Sequence, residues 1–148
     1  QSVSFETLLR EADLISLHLP LSAATKHLIN EAALRLMKPT ALLVNTARGG
    51  LVDTQALCCA LQEGRIGGAA LDTLEQEPVP PDSPLLAFPN VILGPHAGWY
   101  SDQSVTDLKR KTAEAAIAVL RGQRPYSPVN PEVYQSAKLR GKEPLLKG

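Results

Sequence analysis

The sequence predicts an α/β fold, with βαβ units around a mostly parallel sheet. Three observations carry that prediction. Short apolar runs alternate with amphipathic segments of helix length. The run Ala41-Leu42-Leu43-Val44-Asn45 is apolar up to its last residue and too short for a helix, which reads as a strand buried on both faces. Ile66-Gly67-Gly68-Ala69-Ala70-Leu71 is a second such run, with residues small enough to let a helix or ligand approach closely. At 148 residues one domain is the expectation, burying roughly 70% of the surface its unfolded chain exposes.

Taken in order, residues 4–12 read as the end of an amphipathic helix, with Phe5, Leu8 and Leu9 at helical spacing. Residues 13–18 follow as a short strand stopped by Pro20. Asn30 caps a helix over residues 31–37, which Pro39 ends. After the 41–45 strand, Asp53 caps a helix with Ala56, Leu57, Ala60 and Leu61 on one face and Gly64 just past its end. The 66–71 strand leads into a Pro-rich connection, residues 72–90, and connections of that length are often functional. Residues 91–93 form the last strand. Beyond Ser101 a long helix carries Val105, Leu108, Thr112, Ala115, Ala116, Val119 and Leu120 on one stripe and stops at Gly122 and Pro125. From Tyr126 the chain is rich in Pro and Lys and is expected to leave the domain, ending in a disordered tail from Gln135. The expected division is therefore 1–125 and 126–148.

Charge and composition narrow the function. Fifteen Lys and Arg balance fifteen Asp and Glu, which disfavours direct nucleic-acid binding. No apolar run is long enough to span a bilayer, and no secretory signal is visible. Cys58 and Cys59 are adjacent, so neither a disulfide framework nor a zinc site follows; no metal site is expected, and a cytoplasmic setting is. The chain begins at Gln1, which reads as a piece of something longer.

In an open α/β sheet, ligands bind outside the carboxyl ends of the strands. The residues there are His18-Leu19-Pro20, Thr46-Ala47-Arg48-Gly49-Gly50, the stretch from Asp72 to Glu77, and Pro95-His96-Ala97-Gly98-Trp99. Arg48, Glu77 and His96 thus converge on one edge. Arg48 offers a planar fork that holds a carboxylate and polarises a neighbouring carbonyl. His96 suits proton transfer near neutral pH, and Glu77 can orient its ring and favour the imidazolium. Pro78 and Pro95 restrict the backbone beside them. Each residue alone has a plain structural reading: a surface ion pair for Arg48, a solvated loop carboxylate for Glu77 beside Glu75 and Asp82, a structural histidine for His96 as for His18 and His27. Gly49-Gly50 either lets backbone approach a ligand or makes a tight turn, and the chain has no GxGxxG. Trp99 either lines a pocket or fills core.

Several ordered motifs resemble the D-isomer-specific 2-hydroxyacid dehydrogenases. They are His18-Leu19-Pro20-Leu21 with Thr25, the run from Met37-Lys38-Pro39 through Asn45-Thr46-Ala47-Arg48-Gly49-Gly50-Leu51-Val52-Asp53, and Gly68-Ala69-Ala70-Leu71-Asp72. Glu75-Gln76-Glu77-Pro78 and Gly94-Pro95-His96-Ala97-Gly98-Trp99-Tyr100-Ser101 follow. The resemblance spans residues 5 to about 133. Its last motif is most similar to the branch containing the C-terminal-binding proteins, NAD-binding corepressors with a dehydrogenase fold, a motif that bacterial dehydrogenases share.

The resemblance implies the second half of a Rossmann-like, doubly wound parallel sheet and an NAD(P)-dependent oxidoreductase of small D-2-hydroxy acids. Arg48 would bind the substrate carboxylate and carbonyl, His96 would donate the proton and Glu77 would be its partner. Leu19, Pro20 and Thr25 would border the adenine and ribose side of NAD. Thr46, Ala47, Arg48 and His96 would approach the nicotinamide side, Asp72 would contact the nicotinamide ribose or amide, and Trp99 would shape the substrate pocket. A homodimer is implied as well. The alternative is an NAD(H)-sensing, corepressor-like scaffold without significant catalysis. The family's Gly-rich turn and acidic ribose anchor are absent from this sequence, so the choice of NAD or NADP is left open and the chain alone is expected to be inactive.

Overall fold

The computed structural model describes residues 1–135; the expectation for the tail falls largely outside them. The chain divides into two compact units, Gln1–Gly98 and a second that begins at Trp99.

In the first unit, the Ser4 hydroxyl accepts the Thr7 N–H and starts helix α1, Phe5–Glu11. Strand β1, Leu14–Leu17, leads through an irregular loop to Asn30, whose side chain accepts the Ala33 N–H and caps α2, Glu31–Leu36. Strand β2, Leu42–Asn45, is followed by a short 3-10 turn over Gly49–Leu51. Asp53 then caps α3, Thr54–Gln62, and Gly64 takes the left-handed conformation just beyond it. Strand β3 is Gly68–Leu71, and β4 is Val91–Leu93.

All four strands are parallel and lie in the order β1-β2-β3-β4. Leu17 pairs with Asn45, Asn45 with Leu71 and Leu71 with Leu93, so the strands end level with one another. Every loop leaving a carboxyl end therefore starts from the same edge. This is the α/β, Rossmann-like arrangement expected.

Spatial order equal to sequence order has a consequence for layering. Parallel crossovers are right-handed, so α2 and α3 fall on the same face. There α1 packs on α2 and α2 on α3. The core gathers Leu9, Ile15, Leu34, Leu43, Leu57 and Leu71, all at most 4% exposed. The expectation that the 41–45 strand is buried on both faces is corrected here. Leu43 and Asn45 point into the core, but Leu42 on the opposite face is 44% exposed and Val44 is half-buried. The apolar run is real, yet the helices of this unit cover only one side of it.

In the second unit, Ser101 and Ser104 form a capping box that starts α4, Asp102–Leu120. Gly122, in the left-handed region, follows its end. No residue of α4 is fully buried, and of the expected stripe Leu108, Val119 and Leu120 are exposed. Among the described residues no helix is long and apolar enough to cross a membrane.

Candidate active site

Each loop at the carboxyl edge is held by a polar residue. At the end of β2, Asn45 is fully buried; its Oδ1 accepts the Ala47 N–H at 3.1 Å and its Nδ2 donates to the Arg48 carbonyl at 2.9 Å. These bonds fold the chain back so that Arg48 stands exposed at the edge, where its Nη1 donates to the Ala47 carbonyl at 2.7 Å. Gly49 lies directly against the backbone of Leu74, where a Cβ would collide with the Leu74 carbonyl and the Glu75 nitrogen. Only glycine allows that approach.

At the end of β3, Asp72 reaches across to the loop after β4. Its Oδ1 accepts the Ala97 N–H at 2.9 Å and its Oδ2 the Gly98 N–H at 2.7 Å. The Gly98 and Ala97 donors hold this carboxyl below the usual carboxylate range. A Cβ on Gly98 would stand 2.9 Å from Asp72 Oδ2 and 3.8 Å from Thr46 Cβ, so three strand ends meet at a cradle that only a glycine leaves open.

Glu77 and His96 are joined as expected. His96 Nδ1 lies 2.8 Å from Glu77 Oε2, and Glu77 Oε1 accepts the Leu74 N–H at 2.8 Å. The His96 hydrogen bond, then the Leu74 donor, lower the Glu77 pKa, so the carboxylate is ionised and accepts only. Nδ1 must therefore carry the hydrogen, which leaves proton exchange with a substrate to Nε2. His96 is held in the left-handed region at φ +57°, a conformation that a side chain-bearing residue keeps only when its surroundings impose it. The Asp72 bonds to the next two residues impose it here. Asp72, Leu74, Glu77, Leu93 and His96 enclose a cavity of about 130 Å³.

The remaining expected residues are placed as follows. Leu19 and Pro20 stand exposed beyond β1. The Thr25 hydroxyl donates to the Pro20 carbonyl at 2.7 Å and accepts the Ser22 N–H at 2.8 Å, bracing the loop that presents them. Trp99 belongs to the second unit, where it stacks edge-to-face on Tyr100 with ring centroids 5.5 Å apart. Arg48 is brought to the same edge as His96, its loop backed onto Leu74.

Two residues were not anticipated. Asn45 is one, although a lone amide closing an apolar strand is a readable signal, because a buried amide must find partners. Glu75 is the other. It does not behave as a solvated loop carboxylate: Oε1 lies 2.6 Å from His27 Nε2 and Oε2 accepts the Thr54 N–H at 2.8 Å. Burial pushes its pKa up, and the hydrogen bonds from Thr54 and His27 outweigh that, leaving it lowered.

Thr46, Asp72 and the loop through Gly98 stand close together at the edge where the resemblance expects the nicotinamide, with polar groups of all three at hand. Among the described residues no group of His, Cys, Asp and Glu side chains is placed to hold a metal ion.

Comparison with known proteins follows the same lines. The family model for the D-isomer specific 2-hydroxyacid dehydrogenase NAD binding domain matches residues 1–98. A glyoxylate reductase of Thermofilum pendens is 52% identical over 128 residues, 86% of this chain and 38% of that protein. A glyoxylate/hydroxypyruvate reductase B of Enterobacter agglomerans is 43% identical over 133 residues, 90% of this chain and 41% of that protein. The crystal structure of D-lactate dehydrogenase with NAD+ from Lactobacillus jensenii superposes with a TM-score of 0.81 at 39% identity, covering 86% of this chain and 42% of that one. The chain thus spans about two fifths of the length of the relatives it matches. These relatives are reductases and dehydrogenases, so the assignment carried forward is to the family and not to its corepressor-containing branch.

Proposed function

This chain belongs to the D-isomer specific 2-hydroxyacid dehydrogenase family, and from that premise we propose that the protein containing it reduces small 2-oxo acids to D-2-hydroxy acids with NADH, or with NADPH. The observation that carries the reading is the Glu77–His96 pair at 2.8 Å, on the strand edge that also presents Arg48.

The guanidinium of Arg48 holds the substrate carboxylate in a bidentate grip and draws electron density from the adjacent carbonyl. The ring of His96, held as an imidazolium by Glu77, gives the Nε2 proton to that carbonyl oxygen and is left neutral with its hydrogen on Nδ1. In the reverse direction the same nitrogen takes the proton from the hydroxyl. The reduced nicotinamide, when bound, supplies the hydride that C2 receives. Thr46, Ala47, Arg48, His96 and Asp72 would border its nicotinamide side; each Asp72 oxygen keeps a second lone pair beyond its bond to Ala97 or Gly98. Leu19, Pro20 and Thr25 would border the adenine and ribose side. Trp99 as a substrate-pocket residue, residues 1–125 as the cofactor-domain portion with 126 onward as a return segment, a homodimer and a cytoplasmic setting rest on the family resemblance alone.

The test is the full-length protein assayed with glyoxylate, hydroxypyruvate and pyruvate for loss of reduced-nicotinamide absorbance. Turnover is expected on at least one of them, and His96→Ala should lower it by about 100-fold or more. Turnover of the variant near the parent's would remove His96 from the reaction.

A further inference from the structure

Glu75 joins three stretches of chain that are far apart in sequence. It sits in the Pro-rich connection, receives the Thr54 N–H at the start of α3, and meets the His27 ring in the loop before α2. His27 is fixed in turn. Its own N–H donates to the Gly50 carbonyl at 2.8 Å, and its Nδ1 faces Asp53 Oδ2 at 3.8 Å. Its backbone takes the left-handed conformation at φ +51°, which persists in a histidine only under such constraint.

The reacting pair is one short step away. Glu75 fixes the segment whose Leu74 N–H donates to Glu77 Oε1, and that bond turns Oε2 onto His96 Nδ1. On the other side, the Gly50 carbonyl held by His27 lies two residues from Arg48, and Gly49 backs onto Leu74. We propose that the His27–Glu75 pair is a positioning clamp that ties the Arg48 loop to the Glu77 segment and so sets Glu77 on His96. The clamp rests on the reading of Arg48, Glu77 and His96 given above. His27 and Glu75 are positioning residues, acting on substrate only through that trio.

The test uses the full-length protein with His27→Ala and His27→Gln. Both variants carry the same backbone strain, but the glutamine amide reaches where Nε2 stood and restores a donor to Glu75. His27→Ala should lower kcat by about 10- to 100-fold, the scale of a reacting group set off its geometry, with KM for the nicotinamide cofactor within about twofold. His27→Gln should recover most of the loss. Leu74 and Thr54 amide hydrogen exchange, measured on the same samples, should quicken in the alanine variant and slow again in the glutamine one. A kcat unchanged in His27→Ala, or equal losses in both variants, would overturn the clamp. If the parent turns over no 2-oxo acid, the proposed reaction falls by itself, and the exchange rates then decide: unchanged Leu74 exchange in His27→Ala overturns the clamp, and faster exchange restored by glutamine upholds its positioning of Glu77.

Discussion

Asn45 shows how much a single side chain decides at this edge. It is buried among apolar neighbours at the point where β2 must stop, and it satisfies both ends of its amide on the backbone of the next three residues. Asn45→Ala would remove both bonds, strand the Ala47 N–H and leave a small void. A loss of about 2–4 kcal/mol in a urea melt is expected, with the Arg48 loop loosened as well. Three carboxyls make a second prediction, on pH. Asp72, Glu75 and Glu77 are all lowered in the folded state by the hydrogen bonds they accept. A lowered carboxyl stabilises the fold above its unfolded value of about 4, and the contribution disappears as pH falls through the folded value. Stability should thus be flat with respect to these groups above about pH 5 and fall below about pH 4, and Glu77→Gln should flatten the acid limb. A parent melt equally stable at pH 3 and pH 6 would contradict this. Arg48, Glu77 and His96 were legible because each follows a strand end; Glu75 was not, because its partners lie 48 and 21 residues away and no local pattern announces them.

Elements were legible to within a residue or two wherever the cap chemistry was explicit. Asn30 and Asp53 each accept an N–H at the start of their helix as expected, and Ser101 caps the helix expected beyond it, whereas Ser4 caps the start of α1 in a stretch that reads in sequence as a helix's end. The largest shift is in the third strand, which starts at Gly68 and not at Ile66. Gly67 N–H bonds the Ala41 carbonyl and a Cβ on it would collide with the Thr40 carbonyl, so the chain is still entering the sheet there. The contact between the β2 turn and the Pro-rich connection was not foreseeable, since it depends on what happens to be packed on Gly49. It makes a sharp prediction. Gly49→Ala places a methyl inside the Leu74 backbone, so the two segments must separate. The expected result is a loss of about 1–3 kcal/mol in the unfolding free energy, as for overpacking elsewhere, with turnover of the full-length protein reduced further than the stability loss explains. Gly50→Ala is the control, because there the neighbour is the flexible end of Leu21. Equal effects at the two glycines would show that the Leu74 contact carries no special weight.

At the scale of the whole chain, the misreading of β2 has a physical origin. A continuous apolar strand looks the same in sequence whichever elements cover its two faces, and the strand order sends both crossover helices to one side. The other side presents Leu14 at 55%, Leu42 at 44% and Ile92 at 72% exposure, on strands whose alternation puts them on one face, with β1 and β4 unpaired at their outer edges among the described residues. Apolar faces and unpaired edges of this kind drive association, and a net charge of zero supplies no repulsion against it. The 148-residue chain on its own should therefore self-associate, its sedimentation coefficient rising across a concentration series, and should bind a hydrophobic dye. Leu42→Gln with Ile92→Lys should suppress both. Because the two side chains are exposed in the isolated chain, the double variant should change its unfolding free energy by no more than about 1 kcal/mol. A chain that stays monomeric at high concentration would mean the face is not sticky. A double variant that unfolds would mean instead that Leu42 and Ile92 are packed in solution, and that the sheet's second face is covered after all.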